Sequence, residues 1–107
     1  MAYSVSGMPS LIIPSGASTS NAIQDFGDAY GITIFSPATL TDVITVEVEP
    51  SSSGTNFITL QSGGIDVTLP ASKATVISPV PFLQLRLRSS SVEGQTDVFK
   101  VNKVWFI

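Results

Sequence analysis

With 107 residues, 43% hydrophobic and only 12% charged, the chain has the size of one domain whose core needs no covalent staples. It contains neither His nor Cys, which removes the commonest general base, thiol nucleophiles and most zinc sites. Five scattered basic residues at a net charge of −3 cannot neutralise a phosphate track, and no apolar run approaches the ~20 residues of a membrane span, so neither nucleic acid nor membrane is an expected partner.

Residues 1–24 carry no charge and gather Ser, Gly, Thr and Ala around one apolar knot, "SLII". Two readings stand: an edge strand from Ser10 to Ile13 behind a loose tail, or an arm that docks on a neighbour. The segment lacks the basic start and unbroken apolar stretch of a signal peptide, which with the absence of Cys predicts synthesis and folding in a cytoplasm. Residues 25–107 read as the folded domain. Around "SNAIQDFGDAY" one short turn is expected, capped by Ser20 or Asn21, with Gly27 and Gly31 opposing anything longer.

From Tyr30 onward the pattern has period two. Tyr30, Ile32 and Ile34 alternate with polar or small residues, and Ile44, Val46 and Val48 oppose Thr45, Glu47 and Glu49. Ile58 and Leu60 follow, then Ile65, Val67 and Leu69 against Asp66 and Thr68. After "KATVIS", Leu83, Leu85 and Leu87 face away from Gln84, Arg86 and Arg88. Turn chemistry separates these runs; Ser62–Gly64 reads as a hairpin turn, and Pro37, Pro50, Pro70, Pro79 and Pro81 fall at strand ends. Seven to eight short strands predict an all-β fold, an antiparallel β-sandwich that is immunoglobulin-like or jelly-roll-like, with a closed barrel as the alternative.

Catalytic chemistry is hard to find. No Ser-x-x-Lys occurs, and Asp25, Asp28 and Asp42 lack the spacing of a calcium loop. Glu47 and Glu49 share a strand face and could flank a sugar bond, yet Arg86 and Arg88 repeat that relation, so neighbouring strands would make an exposed four-charge ladder. All eight acidic residues lie from Asp25 onward, whereas the first basic residue is Lys73. The two halves either neutralise each other strand to strand or give the molecule two faces that stack head to tail. No catalytic residue, cofactor or metal is expected.

The end of the chain, "DVFKVNKVWFI", predicts a last strand with Phe99 and Val101 in the core. Beyond them Trp105 and Ile107 point one way, Val104 and Phe106 the other. A strand apolar on both faces is either covered twice or set against another chain. Part of this end, together with Met8, Leu11 and Ile12, is therefore expected to pack on a partner subunit.

The stretch "FITLQSGGIDVTLPASKATVISPVPFLQLRLRS", with "GITIFSPATLTDVITVEV" upstream, resembles small β-sandwich structural proteins of tailed bacteriophages. The resemblance covers about half the chain and lends no active-site residues. It implies a non-enzymatic virion protein: a capsid decoration (cement) protein on the head surface, with the phage major capsid protein as partner and self-association as dimer or trimer. Alternatives are a tail or head–tail accessory protein, or a host-glycan-binding module.

Overall fold

The computed structural model describes residues 3–106. Among them the period-two segments form ten strands and no helix: β1 (Tyr3–Ile13), β2 (Gly31–Phe35), β3 (Ile44–Glu49), β4 (Ile58–Thr59), β5 (Gln61–Ser62), β6 (Ile65–Asp66), β7 (Thr68–Leu69), β8 (Ala74–Ile77), β9 (Gln84–Ser89) and β10 (Asp97–Phe106). One antiparallel sheet has the order β1-β10-β2-β8. The second is built on β3, with β9 along one side and β4 and β7 sharing the other. Inward residues of the first sheet (Leu11, Ile13, Ile32, Ile34, Phe99, Val101) meet those of the second (Ile44, Val46, Val48, Leu85, Leu87) in one buried cluster. The fold is thus an all-β sandwich, its longer strands showing the core their apolar faces. Phe99 is the largest fully buried side chain, and truncating it to Ala is expected to cost about 3–5 kcal/mol.

The uncharged N-terminal segment enters the first sheet from Tyr3, well before Ser10. Pro9 hid this continuity, because a residue without an N–H interrupts a strand pattern. The chain accommodates it with a register shift between Met8 and Leu11, where three residues of β1 span two of β10. Beyond β1, isolated bridges tie Thr19 to Arg88 and Ile23 to Leu85, so residues 19–23 run extended beside β9. The short turn expected in this stretch comes later, at Gly27 and Asp28, closed by Ala29 N donating to Phe26 O at 3.1 Å. Asn21 caps no helix. Its Oδ1 accepts from Ile12 N (2.7 Å) and its Nδ2 donates to Ser10 O (3.1 Å), occupying the outer edge of β1 as a strand would.

Strand β10 lies between β1 and β2, which answers where an apolar ending goes: its middle is a central strand. The stretch 58–69 departs from a simple alternating hairpin. Val46, Leu60 and Val67 close a ring of backbone hydrogen bonds (Leu60 N to Val46 O, Val46 N to Val67 O, Val67 N to Leu60 O, 2.9–3.0 Å), and beyond it β5 and β6 leave the sheet as a separate ribbon. Ile65, expected inward with Leu69, is consequently 73% exposed. The ribbon turns at Gly63 and Gly64, both at positive φ, as a two-residue hairpin loop between Ser62 and Ile65 requires.

Candidate functional site

Three polar arrangements built on buried carboxylates have the composition of chemical sites, and donors from the protein itself engage every one of those carboxylate oxygens except Asp97 Oδ2. On the outer face of the second sheet, Glu47 lies opposite Arg86 and diagonal to Arg88. It accepts from Arg86 Nε at 2.8 Å and from Arg88 Nε at 2.9 Å, and the Arg86 guanidinium sits 4.3 Å from the centre of the Phe57 ring. Burial alone would raise the Glu47 pKa; the hydrogen bonds and charges of the two arginines outweigh it and hold the carboxyl below its usual range. Glu49 does not extend this ladder. Its carboxylate accepts from Ser51 N and Asn56 N (3.0 Å each), while Gln84 Nε2 donates to the carbonyls of Ser51 and Gly54 (2.9 Å each). The expected exposed four-charge ladder is therefore a three-charge cluster around a buried Glu47, beside a loop clasp, because the 50–56 backbone folds over Glu49. Neither acid is left open to a sugar bond.

The third arrangement links the loop after β9 to the approach to β3. Glu93 is 0% and Asp97 1% exposed. Glu93 accepts from Thr41 N (2.9 Å), Asp42 N (3.2 Å), Ser89 Oγ (2.5 Å) and Gln95 Nε2 (3.2 Å), and Gln95 Nε2 also reaches Asp97 Oδ1 at 2.7 Å. Burial pushes the Asp97 carboxyl up to about 6, reinforced by its hydrogen bond with Glu93 and partly offset by Gln95. Burial would raise Glu93 too, but hydrogen bonds from Asp97, Ser89 and the two backbone N–H groups bring it down to about 2. Between about pH 2 and about pH 6 the pair therefore holds a single proton, which favours Asp97. Nothing in the local pattern signals this pairing: Glu93 sits in the Ser- and Gly-rich stretch 89–95, and Asp97 opens the last strand. Among the described residues no group of three or more His, Cys, Asp or Glu side chains is placed to hold a metal ion.

What remains is surface. On the outer face of the β1-β10-β2-β8 sheet, Val5, Tyr30, Phe35, Val76 and Val104 surround a shallow groove of about 430 Å³ floored by Gly31 and Thr33. Val5 is 54% and Val76 67% exposed. A Cβ on Gly31 would lie 3.0–3.1 Å from Ser78 Cβ and Ile77 O, so glycine lets β8 approach here.

No family model, curated protein or solved structure matches this chain.

The residues expected at a partner interface divide between the two faces of the β1–β10 ribbon. Leu11 is wholly buried in the protomer's own core and presents nothing outward. Met8 and Trp105 lie on the inner side, Met8 against the core and Trp105 with its ring centre 5.8 Å from Lys103 Nζ. Ile12 is exposed and Val104 lines the outer groove. The side chain of Phe106 and all of Ile107 lie outside the described residues. Val5, Phe35 and Val76 were not anticipated at such a surface. Their signal was present but faint: in strands β2 and β8 the positions opposite the core hold Phe35 and Val76 where Thr or Lys would be ordinary.

Proposed function

We propose that this protein is a non-enzymatic structural component of a virion, a decoration protein that binds the outside of an assembled bacteriophage head and stabilises it. The observation that carries the reading is the apolar outer face of the β1-β10-β2-β8 sheet, bordered by Val5, Phe35, Val76 and Val104. Larger exposed apolar patches mark contact with other chains. The resemblance of residues 57–89 to phage structural β-sandwiches supplies the class of partner, the major capsid protein. The acids Glu47, Glu49, Glu93 and Asp97 are all engaged in holding strands and loops together, which favours a scaffold over an enzyme. Such a protein works by mass action: a subunit that binds the assembled lattice and not its free subunits stabilises the lattice by about 2.7 kcal/mol per site at 100 times its Kd.

The test is co-sedimentation with expanded, assembled heads and, separately, with unassembled capsid subunits. Saturable binding to heads alone, with a raised temperature of head disruption, is expected. Absence of binding to assembled heads would overturn the proposal.

A further inference from the structure

Strand β1 is an edge strand of eleven residues, and its open side is blocked over only part of its length. Which backbone groups face outward follows from two independent hydrogen bonds. Val104 O accepts from Tyr30 N at 2.7 Å, so Val104 turns its backbone toward β2 and away from β1. Its partner Val5 is then in a non-hydrogen-bonded pair, and alternation aims the N–H and C=O of Val5 and Gly7 at the open edge while Ser4, Ser6 and Met8 face β10. Beyond the register shift, Ile12 N points outward and is taken by Asn21, in agreement with this parity. Among the described residues nothing occupies the edge at Val5 and Gly7.

We infer that this edge pairs with the same edge of a second copy, antiparallel about a two-fold axis at Ser6, joining two four-stranded sheets into one of eight strands. In that register Val5 and Gly7 of one copy exchange backbone hydrogen bonds with Gly7 and Val5 of the other, four bonds in all. Gly7 leaves room for the facing Val5, since a Cβ there would meet nothing within 4 Å. Ser6 meets its own counterpart, a small hydroxyl pair suited to a close cross-strand position. An isologous contact needs this self-complementarity, in which each residue's partner is already present in the same short stretch.

Charge points to the same occupant. Open edges are normally guarded by Lys or other charges, and residues 1–24 have none. The nearest charge on β10, Lys103, turns its Nζ to Asp25 O, and two copies of it would be three strand spacings apart, ~14 Å, beyond a ~8 Å screening length. The other edge of this sheet, β8, is four residues long, preceded by Lys73 and followed by Pro79 and Pro81, and is guarded in the usual way. The inference does not depend on whether the protein binds a phage head.

The test uses the full chain and its lack of cysteine. Light scattering across a concentration series is expected to show a dimer. Ser6→Cys should cross-link to itself under mild oxidation, whereas Ser4→Cys, which would face Met8 of the other copy, should not. Val5→Pro removes only an outward N–H and should keep the fold, by circular dichroism, while raising the dimer dissociation constant by about tenfold or more. If Val5→Pro misfolds, the two single-cysteine variants still decide. A monomer at all concentrations, or equal cross-linking at positions 4 and 6, would overturn the pairing.

Discussion

Glu49 and Gln84 face each other across β3 and β9 and hold the 50–56 loop by opposite chemistry, the acid accepting from two backbone N–H groups and the amide donating to two backbone carbonyls. The loop has few apolar contacts of its own to order it, so these four bonds substitute for a core. Gly54 belongs to the same device, because a Cβ there would fall 2.5 Å from Glu49 Cδ.

That geometry predicts a coupling. Glu49→Ala is expected to lower the unfolding free energy by about 2 kcal/mol, leaving loop N–H groups without their acceptor. Gly54→Ala is expected to cost about 1–2 kcal/mol, since the carboxylate it strikes is anchored at both oxygens. The double variant should lose less than the sum, because the clash vanishes with the carboxylate. Urea unfolding of the four proteins measures this.

Removing Glu47 leaves two arginines without their shared anion. Glu47→Gln is expected to destabilise by about 1–3 kcal/mol at pH 7, below the cost of breaking a fully buried pair because Arg88 is half-exposed. The folded pKa of Glu47 is lowered, so its contribution is present above the ordinary value of 4.5 and lost as pH falls through the lower folded value. Unfolding at pH 7 and at pH 3 should therefore show the gap between wild type and variant narrowing in acid.

The Glu93–Asp97 pair has the opposite sign on one side. Asp97 is raised from 3.8 to about 6, so the folded state holds its proton more tightly, and stability falls as pH rises from about 4 to about 6. Glu93 is lowered, so its contribution is lost as pH falls from 4.5 toward about 2. The pair's contribution thus peaks near pH 4. Asp97→Asn keeps an acceptor for Gln95 and a donor for Glu93 without the second charge. Its melting temperature should exceed that of wild type at pH 8 and show no gain at pH 4.

On the outer sheet face, Val76→Glu adds a charge to an exposed position outside the core. Stability should change by no more than about 0.5 kcal/mol, while co-sedimentation with assembled heads should fall sharply. Binding unchanged by this variant would place the head contact elsewhere on the molecule.

The parts of the fold legible in the sequence are those governed by local alternation. Ile44, Val46 and Val48, then Leu85 and Leu87, announce core-facing strands because burial on one side and water on the other imposes period two. Features set by long-range contacts escaped that logic. Ile65 obeys the pattern and still faces solvent, since the ring of bonds at Val46, Leu60 and Val67 turns its ribbon out of the sheet. Glu93 looks like a turn residue, and Asp97 like an ordinary strand start, until the 41–42 backbone, some fifty residues earlier, arrives to bond Glu93. The open edge at Val5 and Gly7 is invisible because strand neighbours, and so edges, are decided only when β10 fits between β1 and β2.

That placement of β10 also sets a timetable. Among the described residues strand β1 has as its ladder partner a strand made well after it, 84 residues downstream from Ile13 to Asp97 at the near end. At synthesis rates of ~5–20 residues per second, β1 waits roughly 4–17 s for the strand that completes its sheet. Through that interval its apolar side chains and uncharged backbone are unsheltered in a crowded cell, a vulnerable period that faster translation or a bound chaperone would shorten or shield.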